Sequence, residues 1–170
     1  MKLTQVFAIA GFVLSFGLSQ TAFAADAATA DEVVKKVSEA SEALAKSKDA
    51  GLADFKGEKS KWSWKDTYVF VFDCKADKML AHPTLEGKAV LALKDKKGKE
   101  FFKDLCKTSE GAHGGWVGYM WTKPAAEGEF QKITYTMSVK GTSYQVAAGI
   151  YDDKASVDEL NKKLGGEHKK

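Results

Sequence analysis

The sequence predicts an α+β fold: a long N-terminal helix packed on a five-stranded antiparallel sheet, with a helical insertion after the first hairpin. Three observations carry that reading. Apolar residues recur at spacings of three and four through Val33, Val37, Ala40 and Leu44, and onward to Leu52 and Phe55. Ile133, Tyr135, Met137 and Val139 alternate with Thr134, Thr136, Ser138 and Lys140, the period of a half-buried strand. Between these, residues 114–121 set Trp116, Tyr119 and Trp121 within six positions behind a glycine pair. A strand with aromatics on both faces is either buried on both or lines a cavity on one.

Residues 1–24 read as a secretory signal peptide: Lys2 supplies the charge, residues 6–18 the apolar stretch, and Ala22-Phe23-Ala24 the cleavage site. The apolar part is shorter than the roughly 20 residues that span a bilayer, so no membrane span is expected after the leader is removed. The mature protein is expected in the periplasm or secreted. Its segments are residues 25–66, the N-terminal helix and linker, 67–152, the sheet and insertion, and 153–170, a C-terminal helix or tail.

Thr29 and Glu32 form a capping box that starts the long helix. Residues 56–65 read as a polar linker with two exposed tryptophans, Trp62 and Trp64. Residues 68–72 and 78–82 pair as a hairpin, stopped by Pro83. Residues 85–93 are irregular, residues 94–99 a charged turn, and residues 100–107 a short helix facing Phe101, Phe102 and Leu105 inward. In the last strand, Gln145, Ala147, Gly149 and Tyr151 share a face whose small residues would admit the N-terminal helix.

The net charge of +3, less the one charge of Lys2, gives +2, which is no nucleic-acid signature. Every basic residue is lysine, so no guanidinium is available to clamp a carboxylate or phosphate. Cys74 and Cys106, in an exported chain, either form a disulfide closing a loop of about 31 residues or remain as buried thiols. There is no haem-attachment motif, nucleophile elbow, zinc-protease motif or phosphate loop, and His82, His113 and His168 lack metal-ligand spacing. No enzyme activity, metal or cofactor is expected.

Several blocks, in order, are those of a known family: residues 68–73 (Tyr-Val-Phe-Val-Phe-Asp), Leu80-Ala81-His82-Pro83, Gly87-Lys88, Gly98-Lys99-Glu100-Phe101, residues 115–121 and Ala148-Gly149-Ile150-Tyr151. The chain resembles the single Cache domain, a PAS-like extracellular sensor domain of bacterial chemoreceptors and sensor kinases. The resemblance implies a PAS-like sheet with a small-ligand pocket between it and the insertion, for acids such as pyruvate, lactate, acetate or propionate. Family receptors have membrane helices on both sides, whereas this chain resembles the stand-alone exported members.

Site candidates follow. His82, at a strand end, is either a structural hydrogen bonder or a ligand contact. Lys88 is either the cation an organic acid needs or a solvated surface lysine. Tyr119 and Trp121 share a face and offer a hydroxyl and an indole N–H to one wall, with core packing as the rival. Trp116 points the other way by parity unless the glycine pair introduces a bulge. Tyr135 is a weaker candidate. The expected function is therefore an exported sensory module binding a small organic acid. The alternative is an interaction module, marked by Trp62, Trp64 and the long helix, that acts with the periplasmic part of a membrane sensor or transporter.

Overall fold

The structure is a computed structural model describing residues 27–57 and 59–167. The leader expected at residues 1–24 lies outside them. Helix α1 (Ala30–Ser47) begins at the capping box: Thr29 Oγ1 accepts from the Glu32 amide, and the Thr29 amide donates to Glu32 Oε2 at 2.9 Å. Those two bonds satisfy amides that the first helical turn leaves unpaired. Lys48, with φ 49°, ends the helix, and Lys48–Phe55 continues as a tighter 3-10 stretch. The sequence periodicity therefore runs through two helical segments of different pitch.

Two short strands, β1 (Ser63–Trp64) and β2 (Thr67–Tyr68), form a small hairpin at the mouth of the domain. Trp62 stacks on Phe55 at 4.9 Å, and Trp62 and Trp64 are half-buried against the core, not exposed as the sequence suggests. The main sheet comprises β3 (Phe70–Asp73), β4 (Lys78–Ala81), β5 (Gly115–Thr122), β6 (Glu129–Ser138) and β7 (Tyr144–Ile150). Its order is β4-β3-β7-β6-β5, with every pairing antiparallel. Helix α2 (Phe101–Ser109) lies in the insertion between β4 and β5, and α3 (Val157–Glu167) closes the described chain. Among the described residues, no helix is long and apolar enough to cross a membrane.

The two faces of the sheet bury different things. Val33, Val37, Ala40 and Leu44 of α1 pack on Val69, Val71, Val146, Ala148 and Ile150. This reverses the helix placement expected from β7, because Ala147 and Gly149 point to the other side. There, Phe101, Phe102 and Leu105 of α2 meet Tyr68, Phe70, Phe72, Met79, Val117 and Tyr119. Cys74 and Cys106 form a disulfide that ties the turn after β3 to α2. In the chain-entropy account, closing a loop of this length stabilises the fold by about 3–4 kcal/mol.

Two local features aim side chains. A register shift between Val71 and Phe72 sets Ala81 opposite Val71 but Met79 opposite Phe72. The extra residue reverses parity at the end of β4 and turns His82 toward the α2 side. By contrast, β5 pairs with β6 without interruption from Gly115 to Thr122, so alternation there is strict. Gly114 makes the turn into β5: its φ is +63°, and a Cβ would lie 2.1 Å from the Thr136 carbonyl oxygen.

Candidate ligand-binding site

Strict alternation along β5 divides the aromatic strand. Tyr119 and Trp121 face α2, and Trp116 faces α1. Trp116 therefore does not reach the α2 side, because the glycine pair introduces no bulge in the β5–β6 ladder. Its cross-strand partner Tyr135 lies on the same side, 5.4 Å away ring to ring, with its hydroxyl donating to the His113 carbonyl at 2.6 Å. Both belong to the α1-side core. Lys88 has an exposed side chain and stays outside the cluster, while its backbone closes the turn beside Met79.

The structure brings His82, Tyr119 and Trp121 together on the α2 side. Trp121 meets His82 edge-on at 6.3 Å and Tyr119 at 6.2 Å, and Tyr119 stacks on Phe101 at 4.0 Å. The Tyr119 hydroxyl bonds to Thr134 Oγ1 at 2.9 Å. Tyr68 adds a further wall, its hydroxyl 3.2 Å from His82 Nε2. A cleft of about 650 Å³ opens onto Tyr68 and His82, rimmed by Trp64, Pro83, Lys123 and Pro124.

Pro83 breaks β4, and the chain folds back so that the amides of Thr84 and Leu85 donate to His82 Nδ1 at 3.0 and 3.3 Å. An amide can only donate, so Nδ1 is an acceptor and the ring proton sits on Nε2. Nε2–H then donates to the Tyr68 oxygen, which also bonds Trp121, and the Tyr68 hydroxyl is left to donate to Tyr151, whose own hydroxyl donates to the Thr122 carbonyl at 2.6 Å. Burial, reinforced by the fields of Lys132 and Lys88, pushes His82 down to about 3, so the ring is neutral. Burial raises Tyr68 to about 12 and Tyr119 further still. Both remain hydroxyl donors.

The cation of this aromatic cluster is Lys132, which the sequence reading missed; it lies behind Tyr68 and is not among the residues that line the 650 Å³ cleft. It sits on β6 directly across from Tyr119, with 1 % of its surface exposed. Its stem lies over Gly149 of β7, where a Cβ would come within 2.7 Å of Lys132 Cε and 2.5 Å of Thr134 Oγ1. The small face of β7 thus accommodates a lysine. Lys132 Nζ lies 4.4 Å from the ring centre of Tyr68, 5.1 Å from Tyr151 and 5.6 Å from Phe70. Ring faces partly replace the water a buried ammonium gives up.

Among the described residues, Lys132 Nζ has no hydrogen-bond acceptor and no carboxylate within ion-pair reach. The acid whose field it feels, Asp66, is already engaged by the Ala28 amide at 2.8 Å and by Lys123 at 2.9 Å. Burial lowers Lys132 to about 7, partly offset by Asp66. The cluster therefore combines a buried amine lacking an ion-pair partner with the Tyr68 hydroxyl and an aromatic wall.

A second, more open hollow of about 710 Å³ runs along the outer edge of β5. Beside it, three polar side chains are turned on the strand itself. Asn161 bonds both the Trp116 amide and its carbonyl, Lys99 the Gly118 carbonyl, and Asp95 the Met120 amide. These bonds blunt an exposed sheet edge.

The profile of the Single Cache domain 2 family matches residues 18–162, so the chain belongs to that family. Members are sensory, ligand-binding domains, typically extracellular or periplasmic. Similar solved structures include a periplasmic sensor domain of a chemotaxis protein, at 23 % identity and TM-score 0.54, covering 71 % of this chain and 93 % of that one. A methyl-accepting chemotaxis protein from Vibrio parahaemolyticus is 24 % identical with TM-score 0.55, over 71 % of this chain and 81 % of that one. A Cache chemosensory domain described for carboxylic acid recognition is 23 % identical with TM-score 0.55, over 71 % and 86 %. At these identities, the structural likeness establishes the shared fold. No curated protein sequence matches the chain significantly.

Proposed function

We propose that this protein is a non-enzymatic, exported sensory module that binds a small organic acid between the sheet and α2. The observation that carries the reading is Lys132: a cation buried in an aromatic chamber with no anionic partner is an incomplete ion pair, and a carboxylate completes it. In this reading Lys132 neutralises the ligand charge and the Tyr68 hydroxyl, its oxygen held by His82, exchanges its bond to Tyr151 for one to the ligand. Trp121, Phe101 and Tyr119 enclose the apolar part of the acid. Lys88, at the surface, contributes only its field.

Thermal unfolding with acetate, propionate, pyruvate and lactate tests the proposal. At a hundredfold excess over Kd, the linkage of binding to folding adds about 2.7 kcal/mol, which corresponds to a rise of about 5–10 °C in Tm. A folded protein whose Tm responds to none of the four acids contradicts the reading. The interaction-module alternative was marked by Trp62, Trp64 and the long helix, and the half-burial of the two tryptophans removes the aromatic part of that support.

A further inference from the structure

We propose that the anion is bound together with a proton, which Lys132 takes up as the ligand enters, so that the module responds jointly to acid concentration and to pH. The inference rests on the carboxylate reading above and deepens it. Its basis is geometric. The Lys132 amine has no acid within ion-pair distance among the described residues and is 1 % exposed, so its charged form is supported by the surrounding rings and the field of Asp66 alone. A carboxylate placed beside it changes that balance, and the amine must then hold its proton more tightly.

The groups facing Lys132 make it the titrating centre of the chamber. From β2 comes Tyr68, from β5 Tyr119, and from the end of β7 Tyr151, each held in the neutral hydroxyl form by burial. From β3 comes the uncharged Phe70. From the end of β4 comes His82, its Nδ1 occupied by two backbone amides and its ring neutral above about pH 3. Lys88 lies beyond His82 and contributes only its field. From the β1–β2 turn comes Asp66, committed to Lys123 and the Ala28 amide. Burial leaves Lys132 itself near 7, within the range an extracytoplasmic compartment visits.

The sign follows directly. Below pH 7 the free protein already carries the proton, and affinity is insensitive to pH. Above pH 7 each ligand must bring a proton with it, and Kd rises about tenfold per pH unit until the pKa of the liganded state is reached. The probes are propionate and pyruvate, both ionised throughout pH 6–9. Calorimetric titration at pH 8.5, in two buffers of different ionisation enthalpy, is expected to show uptake approaching one proton per ligand. At pH 5.5 the uptake falls toward zero, and Kd weakens roughly a hundredfold between pH 6 and pH 9.

Lys132→Arg keeps its charge at all these pH values and is expected to flatten the profile. Should that variant fail to fold, the Lys132 Cε resonance of the wild-type protein supplies the same information. It is expected to titrate near pH 7 when empty and well above 8 when saturated with propionate. Binding with the same Kd at pH 6 and pH 9 and no proton uptake overturns this proposal and leaves the carboxylate reading standing. Absence of binding to either acid at pH 6 overturns both.

Discussion

The two faces of the sheet spend their burial differently. On the α1 side, Val33, Val37, Ala40 and Leu44 meet Val69, Val71, Val146, Ala148 and Ile150, and the buried polar side chains at its margins, Ser41 and Asp66, are bonded to the Ser138 carbonyl and the Ala28 amide. On the α2 side, the sheet buries Lys132, Thr134, Thr136 and His82 among aromatic rings. The Thr136 hydroxyl there lacks a partner among the described residues. The first face lowers the energy of the fold, while the second holds polar groups whose desolvation is only partly compensated. The contrast teaches that stability and recognition are segregated by strand parity: on β6, Ile133 and Tyr135 serve one side and Lys132 and Thr134 the other.

The comparison can be broken from either side. Leu44→Ala, on the α1 side, is expected to cost about 2–5 kcal/mol in denaturant unfolding while leaving propionate affinity unchanged. An altered Kd in that variant would mean that the faces are not independent. Lys132→Met, on the α2 side, is expected to do the reverse: binding is lost, and the ligand-free protein is at least as stable in denaturant unfolding, because the desolvation cost of a buried amine is removed. A destabilised Met variant would show that the lysine has a structural role.

The pH dependence of folding sharpens the same contrast. His82 is near 3 when folded and about 6.5 when unfolded, so between those values the unfolded chain binds more protons. Its contribution to stability is complete above pH 6.5 and is lost at up to about 1.4 kcal/mol per pH unit as the solution is acidified toward 3. His82→Gln removes that component, so comparison of the two acid unfolding curves isolates it. Gly149→Ala overpacks a buried site and is expected to cost the fold about 1–3 kcal/mol. Its added methyl displaces the Lys132 stem and Thr134, and propionate affinity falls about tenfold or more with little change in the α1-side core.

What could be read in the sequence divides along local and non-local lines. The capping box at Thr29 and Glu32 was legible because its partners are three residues apart. The strands were legible from alternation, and Tyr119 and Trp121 were correctly separated from Trp116 because parity holds along an unbroken ladder. Alternation tells which residues share a face but not what covers it. The threonine face of β6 reads as solvent-facing, yet α2 covers it, and Lys132 lies one residue before the stretch that alternates. Gly149 and Ala147 carried the signal of a close neighbour, but that neighbour is a lysine side chain, not the N-terminal helix. The position of His82 depended on a bulge at Val71 and Phe72 that no spacing in the sequence marks.

A crystal structure of the protein with propionate locates the anion directly. The prediction is a carboxylate oxygen at 2.7–2.9 Å from Lys132 Nζ, the range of a charge-assisted bond, with the Tyr68 hydroxyl donating to the same group. Propionate held at the rim by Lys123 or at the surface by Lys88, with the chamber around Lys132 closed, would contradict it.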